Sequence, residues 1–141
     1  MNYLLDTCVI SEFTRRSPDK NVIGWMDGID EEKLYLSVIT IGELQHGIER
    51  LEDSARKTEL LAWMNDRLIN RFSHRIIPLD TLTMLFWGSL MARLEKDGRP
   101  MPVLDSLLAA SSLRNDLVLA TRNLTDFTSS GVKLVNPWER K

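Results

Sequence analysis

Short apolar runs alternate along this chain with longer stretches in which apolar residues return every three or four positions. Tyr3-Leu4-Leu5 is the first run, and it stops at Asp6-Thr7, the pattern of a buried strand with a carboxylate at its C-terminal end. Ser17-Pro18-Asp19 predicts a helix start with Ser17 as N-cap and Pro18 in the first position, followed by Val22, Ile23, Met26 and Ile29 at helical spacing. Leu34–Ser37 reads as a second strand. Ser37 then caps a helix predicted from Val38 to Leu51, with Ile41, Leu44, Ile48 and Leu51 on one face. Glu52 to Ser54 interrupts it, and a further helix is expected over Ala55–Phe72, carrying Leu60, Leu61, Met64, Leu68 and Phe72. Arg75–Asp80 predicts a short strand that ends in a cap. Thr81–Lys96 predicts a helix carrying Leu82, Leu85, Phe86, Leu90, Met91 and Leu94, ended by Asp97-Gly98. An extended loop over Arg99–Pro102 leads to a helix over Leu104–Arg114. Leu117–Ala120 is a buried strand, Val132–Val135 a last one, and Asn136-Pro137-Trp138 closes the fold.

Strands that alternate with helices define an α/β protein with a central, mainly parallel sheet flanked by helices. No repeat, low-complexity tract or linker divides the chain, and 141 residues suit one core, so a single domain over residues 1–141 is expected. The two consecutive helices between the second and third strands form a hairpin that either projects as an interaction surface or packs on one sheet face. Apolar residues make up 43% and charged residues 27%, with no apolar stretch near the roughly 20 residues that span a bilayer. With no basic, apolar leader pattern at the start, the expected location is cytoplasmic, with no membrane contact. The lone Cys8 agrees with a reducing compartment; beside Asp6 it is either a redox or metal thiol or, more commonly, a small buried hydrophobe. A net charge of −2 argues against holding nucleic acid by broad positive charge. It leaves room for an enzyme that meets phosphate through a bound metal and a few arginines.

Four acids carry the candidate chemistry. Asp6 at a strand end is costly to desolvate unless donors or a cation meet it, and it also suits the N-cap of a following helix. Glu43 lies between Ile41 and Leu44, at the border of a buried helix face. Asp105 opens a helix, where the macrodipole alone favours an acid. Asp126 follows the strand Leu117–Ala120. Each signal is unspecific alone. Together they fall on strand ends and helix starts at one rim, where parallel sheets bind ligands. Converging carboxylates repel, so without a cation at least one pKa must rise. An all-oxygen set suits Mg²⁺ or Mn²⁺ rather than zinc, and His46 and His74 have no zinc spacing. Arg15, Arg16, Arg99 and Arg122 flank these segments, as phosphate contacts or as plain surface charge.

Five segments occur here in the order seen in PIN-domain proteins. They are Leu5-Asp6-Thr7-x-Val9-Ile10-Ser11-Glu12, Ser37-x-x-Thr40-x-Gly42-Glu43-Leu44-x-x-Gly47, Asp105-x-Leu107-x-Ala109-Ala110, Thr121-Arg122-Asn123-x-x-Asp126-Phe127 and Asn136-Pro137-Trp138. Along essentially its whole length the chain resembles the VapC/FitB-like toxins of type II toxin–antitoxin pairs. The resemblance implies a PIN-like fold and a Mg²⁺-dependent endoribonuclease, Mn²⁺ being the alternative ion. Its reaction would be in-line hydrolysis of RNA, such as tRNA or rRNA, leaving a 5′-phosphate and a 3′-hydroxyl. It implies an acidic pocket of Asp6, Glu43 and Asp105, with Asp6 and Asp105 as the principal metal ligands and Glu43 orienting a water or a second metal.

The further acid of such proteins often stands where this chain has Asn123. Asn123, nearer the strand end, is expected to line the pocket through its side chain or a water, with Asp126, which brings the charge, in support; which of the two completes the metal set stays open. Asp126 is grouped with the catalytic acids, and Thr7, Thr121 and Asn123 with the groups that support them. Arg15 and Arg122 are the candidate substrate contacts. The expected partners are RNA, a second copy of the chain, and a cognate VapB-like antitoxin that docks near the hairpin and blocks the pocket. DNA would be reached only through that antitoxin. Two rival readings remain. A phosphatase with Asp6 as nucleophile wants an acid where Cys8 stands, and a non-catalytic binding module would have kept the fold alone.

Overall fold

The computed structural model describes residues 1–139. Five strands, β1 (Tyr3–Leu5), β2 (Leu34–Ser37), β3 (Ile76–Ile77), β4 (Val118–Ala120) and β5 (Leu134–Val135), form one sheet in the order β3-β2-β1-β4-β5. Every pairing is parallel, with Tyr3 opposite both Leu34 and Val118 and Leu5 opposite Ala120. The helices are α1 (Thr7–Glu12), α2 (Lys20–Asp27), α3 (Val38–Glu49), α4 (Ala55–Ala62), α5 (Ile69–Arg71), α6 (Thr81–Lys96), α7 (Val103–Arg114) and α8 (Leu124–Phe127).

β1 is central and covered on both faces, which is why it reads as an unbroken apolar run. Successive side chains of a strand point to opposite faces. Leu4 accordingly joins one core with Leu90, Leu94, Leu108 and Leu119, under α6 and α7. Leu5 joins the other with Val9, Val22, Leu36, Met64 and Phe72, under α1 to α5. The hairpin of α3 with α4 and α5 therefore packs on a sheet face rather than projecting from it.

Several boundaries differ from the sequence expectation, each for a local reason. α2 is capped by Asp19, not Ser17: the Asp19 carboxylate accepts the Asn21 and Val22 amides at 2.8 and 3.3 Å. α3 ends at Glu49, two residues before Leu51. The helix expected over Ala55–Phe72 is interrupted by a π-helical turn at Trp63–Leu68. Met64, Leu68 and Phe72 are all buried at four-residue spacing, which overshoots an α-helical turn by about 40° per step. A wider turn brings them back to one face. β3 shrinks to two residues because Pro78 has no N–H for a ladder. β5 spans only two residues of the four expected, and α7 begins one residue early, at Val103.

The exposed apolar surface lies on α6 and α7 rather than on the hairpin's Met64. Met64 is core, whereas Leu82, Leu85 and Phe86 of α6 and Val103 and Leu104 of α7 are exposed. No helix among the described residues is long and apolar enough to cross a membrane.

Candidate active site

The site lies at the C-terminal edge of the sheet. The Asp6 N–H still belongs to the sheet, donating to the Ala120 carbonyl at 2.9 Å, while its side chain already starts α1 by accepting the Thr7 N–H at 2.7 Å. Cap and pocket acid are thus one residue. The second carboxylate oxygen accepts the Thr121 hydroxyl at 2.8 Å, just beyond β4, with the Cys8 thiol 3.7 Å away. Asp6 is 9% exposed. Burial pushes its carboxyl above the ordinary value; the bonds from Thr121, Thr7 and Cys8 offset part of this, and the charge of Asp126 adds to it.

Glu43, half-buried on α3, is bridged to this strand end by the Thr7 hydroxyl, which donates to Glu43 Oε1 at 2.8 Å. Thr7 also sits 3.5 Å from the buried Thr40 hydroxyl. Asp105 stands in the first turn of α7. Its carboxyl is pushed up by burial first, then by the charges of Asp6, Asp126 and Glu43. These four acids are electrostatic neighbours, brought to one rim from four separated segments. Among the described residues no three His, Cys, Asp or Glu side chains are gathered closely enough to hold an ion as they stand. The donor chemistry nonetheless fits a hard divalent cation, because the acids offer only oxygen, and Asp6 and Asp105 are pushed up by burial and then by neighbouring acids.

The remaining candidates fall into place around this group. Asn123 is exposed; its N–H donates to Thr121 Oγ1 at 3.1 Å and its carbonyl accepts the Asp126 N–H at 3.1 Å, so it opens α8 through its backbone and not through its side chain. Asp126 is the member of this pair whose charge reaches both Asp6 and Asp105. Arg122 is exposed, its guanidinium 5.2 Å over the Trp138 ring. Arg15 and Arg16 line a cleft beside α4 whose walls include none of the four acids. Arg99 lies exposed in the loop before α7, and His46 and His74 are exposed. Cys8 packs against the core, and burial followed by the charge of Asp6 raises its thiol, which disfavours a thiolate.

Two residues escaped the sequence reading as separate participants. Thr40 lies buried beneath Thr7. Glu12, 3% exposed, accepts the Asp19 N–H at 2.8 Å and lies 3.5 Å from Arg15 Nη1, tying the loop after α1 to its own helix. Its signal was its position three residues after Val9, on the buried face of α1.

A parallel five-stranded sheet with acids gathered at its C-terminal edge matches one family: the profile of the PIN domain covers residues 3–128, and the chain belongs to the PIN-domain family. Within that family it stands with the VapC and FitB toxins. It is 35% identical over 136 residues to the plasmid stability protein StbB of Pseudomonas syringae pv. tomato, covering 96% of this chain and 98% of that one. It is 32% identical over 136 residues to the VapC ribonuclease Y4jK of Sinorhizobium fredii, covering 96% and 97%. To toxin FitB of Neisseria gonorrhoeae it is 32% identical over 135 residues, again covering 96% and 97%. The solved structure of FitAcB from that organism superposes with a TM-score of 0.93 at 31% identity, covering 98% of this chain and 99% of the other.

Proposed function

We propose that this chain is a single PIN domain over residues 1–141 acting as a metal-dependent endoribonuclease, the cytoplasmic toxin of a toxin–antitoxin pair. The observation that carries the reading is the state of Asp105: a carboxyl raised by burial and by three neighbouring acids, at the sheet edge where Asp6 also resists ionisation. Acids gathered at one edge repel one another, and a hard divalent cation between them would offset that repulsion. Asp6 and Asp105 would hold Mg²⁺ or Mn²⁺, with Asp126 completing the acidic set. When bound, the ion supplies charge neutralisation at a phosphodiester and acidifies water. Thr121 and the Thr7 amide fix the rotamer of Asp6. Thr7 Oγ1 fixes Glu43, placing a carboxylate that can orient an attacking water and take its proton. Asn123 supports Thr121 through its amide, and Arg15 and Arg122 offer guanidinium groups to substrate phosphates.

The names ribonuclease and toxin borne by the relatives favour RNA, such as tRNA or rRNA, as substrate and an antitoxin of the VapB kind as partner. That antitoxin docks near the α3–α5 hairpin and covers the acids, and any DNA contact passes through it. A second copy of the chain covers the exposed apolar residues of α6 and α7. The test is cleavage of structured RNA by wild type and Asp105→Asn protein, with Mg²⁺, Mn²⁺ or EDTA. Cleavage confined to wild type with metal is expected, and full activity in the variant or in EDTA overturns the reading.

A further inference from the structure

Beside the acidic rim lies a cleft of about 550 Å³ between the loop after α1 and the α4 helix with its π-helical turn. Arg15, Arg16, Arg56 and Arg67 line it, with Phe13 and Trp63 between them. Four guanidinium groups face two carboxylates, Glu59 and Asp66, so the cleft is a positive strip on a chain whose net charge is −2. It also leads to the active site. Thr14, Leu60 and Trp63 line both this cleft and a neighbouring groove of about 300 Å³ whose other walls include Thr7 and Glu43.

The walls are built rather than incidental. Buried Glu12 ties the base of the arginine loop through the Asp19 N–H, and Arg56 donates to the Thr14 carbonyl, joining α4 to that loop. The π-helical turn begins at Trp63 and includes Arg67. Such turns are rare and cluster at functional sites. Here it sets an aromatic ring and a guanidinium on one wall.

Arginines interleaved with aromatic rings are the chemistry of single-stranded nucleic acid: guanidinium groups follow the phosphates, and an indole face takes a base of any identity. We infer that this cleft seats the single-stranded stretch of RNA flanking the scissile bond, with Arg56 and Arg67 on its phosphates and Trp63 under one base. The inference rests on the ribonuclease reading for its occupant, but binding can be read without cleavage.

The test uses full-length Asp105→Asn protein and a fluorescent, mixed-sequence RNA single strand of about 15 nucleotides, titrated by anisotropy at several salt concentrations. Each single-strand phosphate contact contributes about 0.7 to the slope of log K against log salt. Arg56→Gln with Arg67→Gln should flatten that slope by about 1.4 and weaken binding roughly tenfold. Trp63→Leu should weaken binding about fivefold or more with the slope unchanged, and Trp63→Phe should restore most of it. Arg114→Gln, at the far end of α7, should change neither quantity. Melting curves of each variant establish that it is folded. An unchanged slope in the double variant, an equal effect of Arg114→Gln, or no RNA binding by the starting protein overturns the inference. Absence of metal-dependent cleavage by wild type instead defeats the ribonuclease reading, and the two failures are read in separate assays.

Discussion

Replacing Thr121 by valine isolates the hydroxyl that holds Asp6. Valine keeps the shape of threonine at a position with no exposure, so no cavity is opened. Three contacts are lost: the 2.8 Å donation to Asp6 Oδ2, the 3.1 Å acceptance from the Asn123 N–H and a weak 3.8 Å contact with the Cys8 thiol. A bond to a charged group contributes about 1.5–3 kcal/mol net. The amide of exposed Asn123 can turn to water at little cost. The expected loss is about 2 kcal/mol at neutral pH, or roughly 7 °C in Tm for a chain of this length. It depends on pH with a definite sign. The Thr121 bond favours ionised Asp6, so its contribution is present while the carboxylate is charged and fades as pH falls through the raised Asp6 pKa. Melts in EDTA from neutral to acidic pH should show the two proteins converging, with Thr121→Ser close to wild type throughout. With metal, cleavage by Thr121→Val should drop about 10–100-fold, the usual cost of losing a group that orients a ligand. A valine variant that melts within about 2 °C of wild type at neutral pH refutes the reasoning. So does one whose deficit is the same at acidic pH.

Asp105→Asn tests repulsion directly. The Asp105 pKa is raised in the folded state, so its favourable contribution is present below the ordinary carboxylate range and is lost as pH rises through the raised value. In EDTA the variant should therefore melt above wild type at neutral pH, and the gain should vanish in acid; scanning calorimetry across pH decides it. Mg²⁺ should raise the wild-type Tm by linkage and leave this variant nearly unmoved. Asp126→Asn should slow cleavage more than Asn123→Ala, because the charge that reaches Asp6 and Asp105 is that of Asp126; equal residual rates would dismiss that order. Aspartate at both Leu85 and Phe86, 65% and 38% exposed, should convert a dimer to monomer by light scattering if α6 is the contact between copies.

The sheet and the acids were legible because they leave local marks. A buried strand between two helical layers must be apolar on both faces, so Leu4 and Leu5 announce β1, and Asp6 announces where it ends. What the sequence left ambiguous was settled by contacts made over distance. Ser17 and Asp19 are both good N-caps, and it is the buried Glu12 carboxylate, by taking the Asp19 N–H, that accompanies the start at Asp19. The π-helical turn is not called by a search at 3.6 residues, because the four-residue spacing of Met64, Leu68 and Phe72 is also an ordinary i, i+4 pattern, and its drift of about 40° per step is the only local mark of the wider turn. Leu82, Leu85 and Phe86 carry the same period as Leu90 and Leu94. Only the latter two are covered by the core, because the buried face of α6 runs through Thr83, Trp87, Leu90 and Leu94, and Leu82, Leu85 and Phe86 lie off it. By position along the chain Asn123, nearer the strand end, is the one expected to line the pocket, with Asp126 behind it. Which of them bears on the rim depends on the backbone of α8, where Asn123 spends its amide on Thr121.

The order of the strands has a consequence during synthesis. β1 leaves the ribosome first and ends up at the centre of the sheet, but the hydroxyl that holds Asp6 follows it by 115 residues. At about 5–20 residues per second, that is roughly 6 to 23 s of translation. For that time the first acid has neither the Thr121 hydroxyl nor the β4 strand beside it, and Asp126 is still to come. A prematurely terminated or clipped product that stops short of β4 lacks the central pairing of the sheet and is inert as the proposed nuclease. On the proposed reading, the activity would depend on a chain that has reached β4 and the Thr121 hydroxyl beyond it.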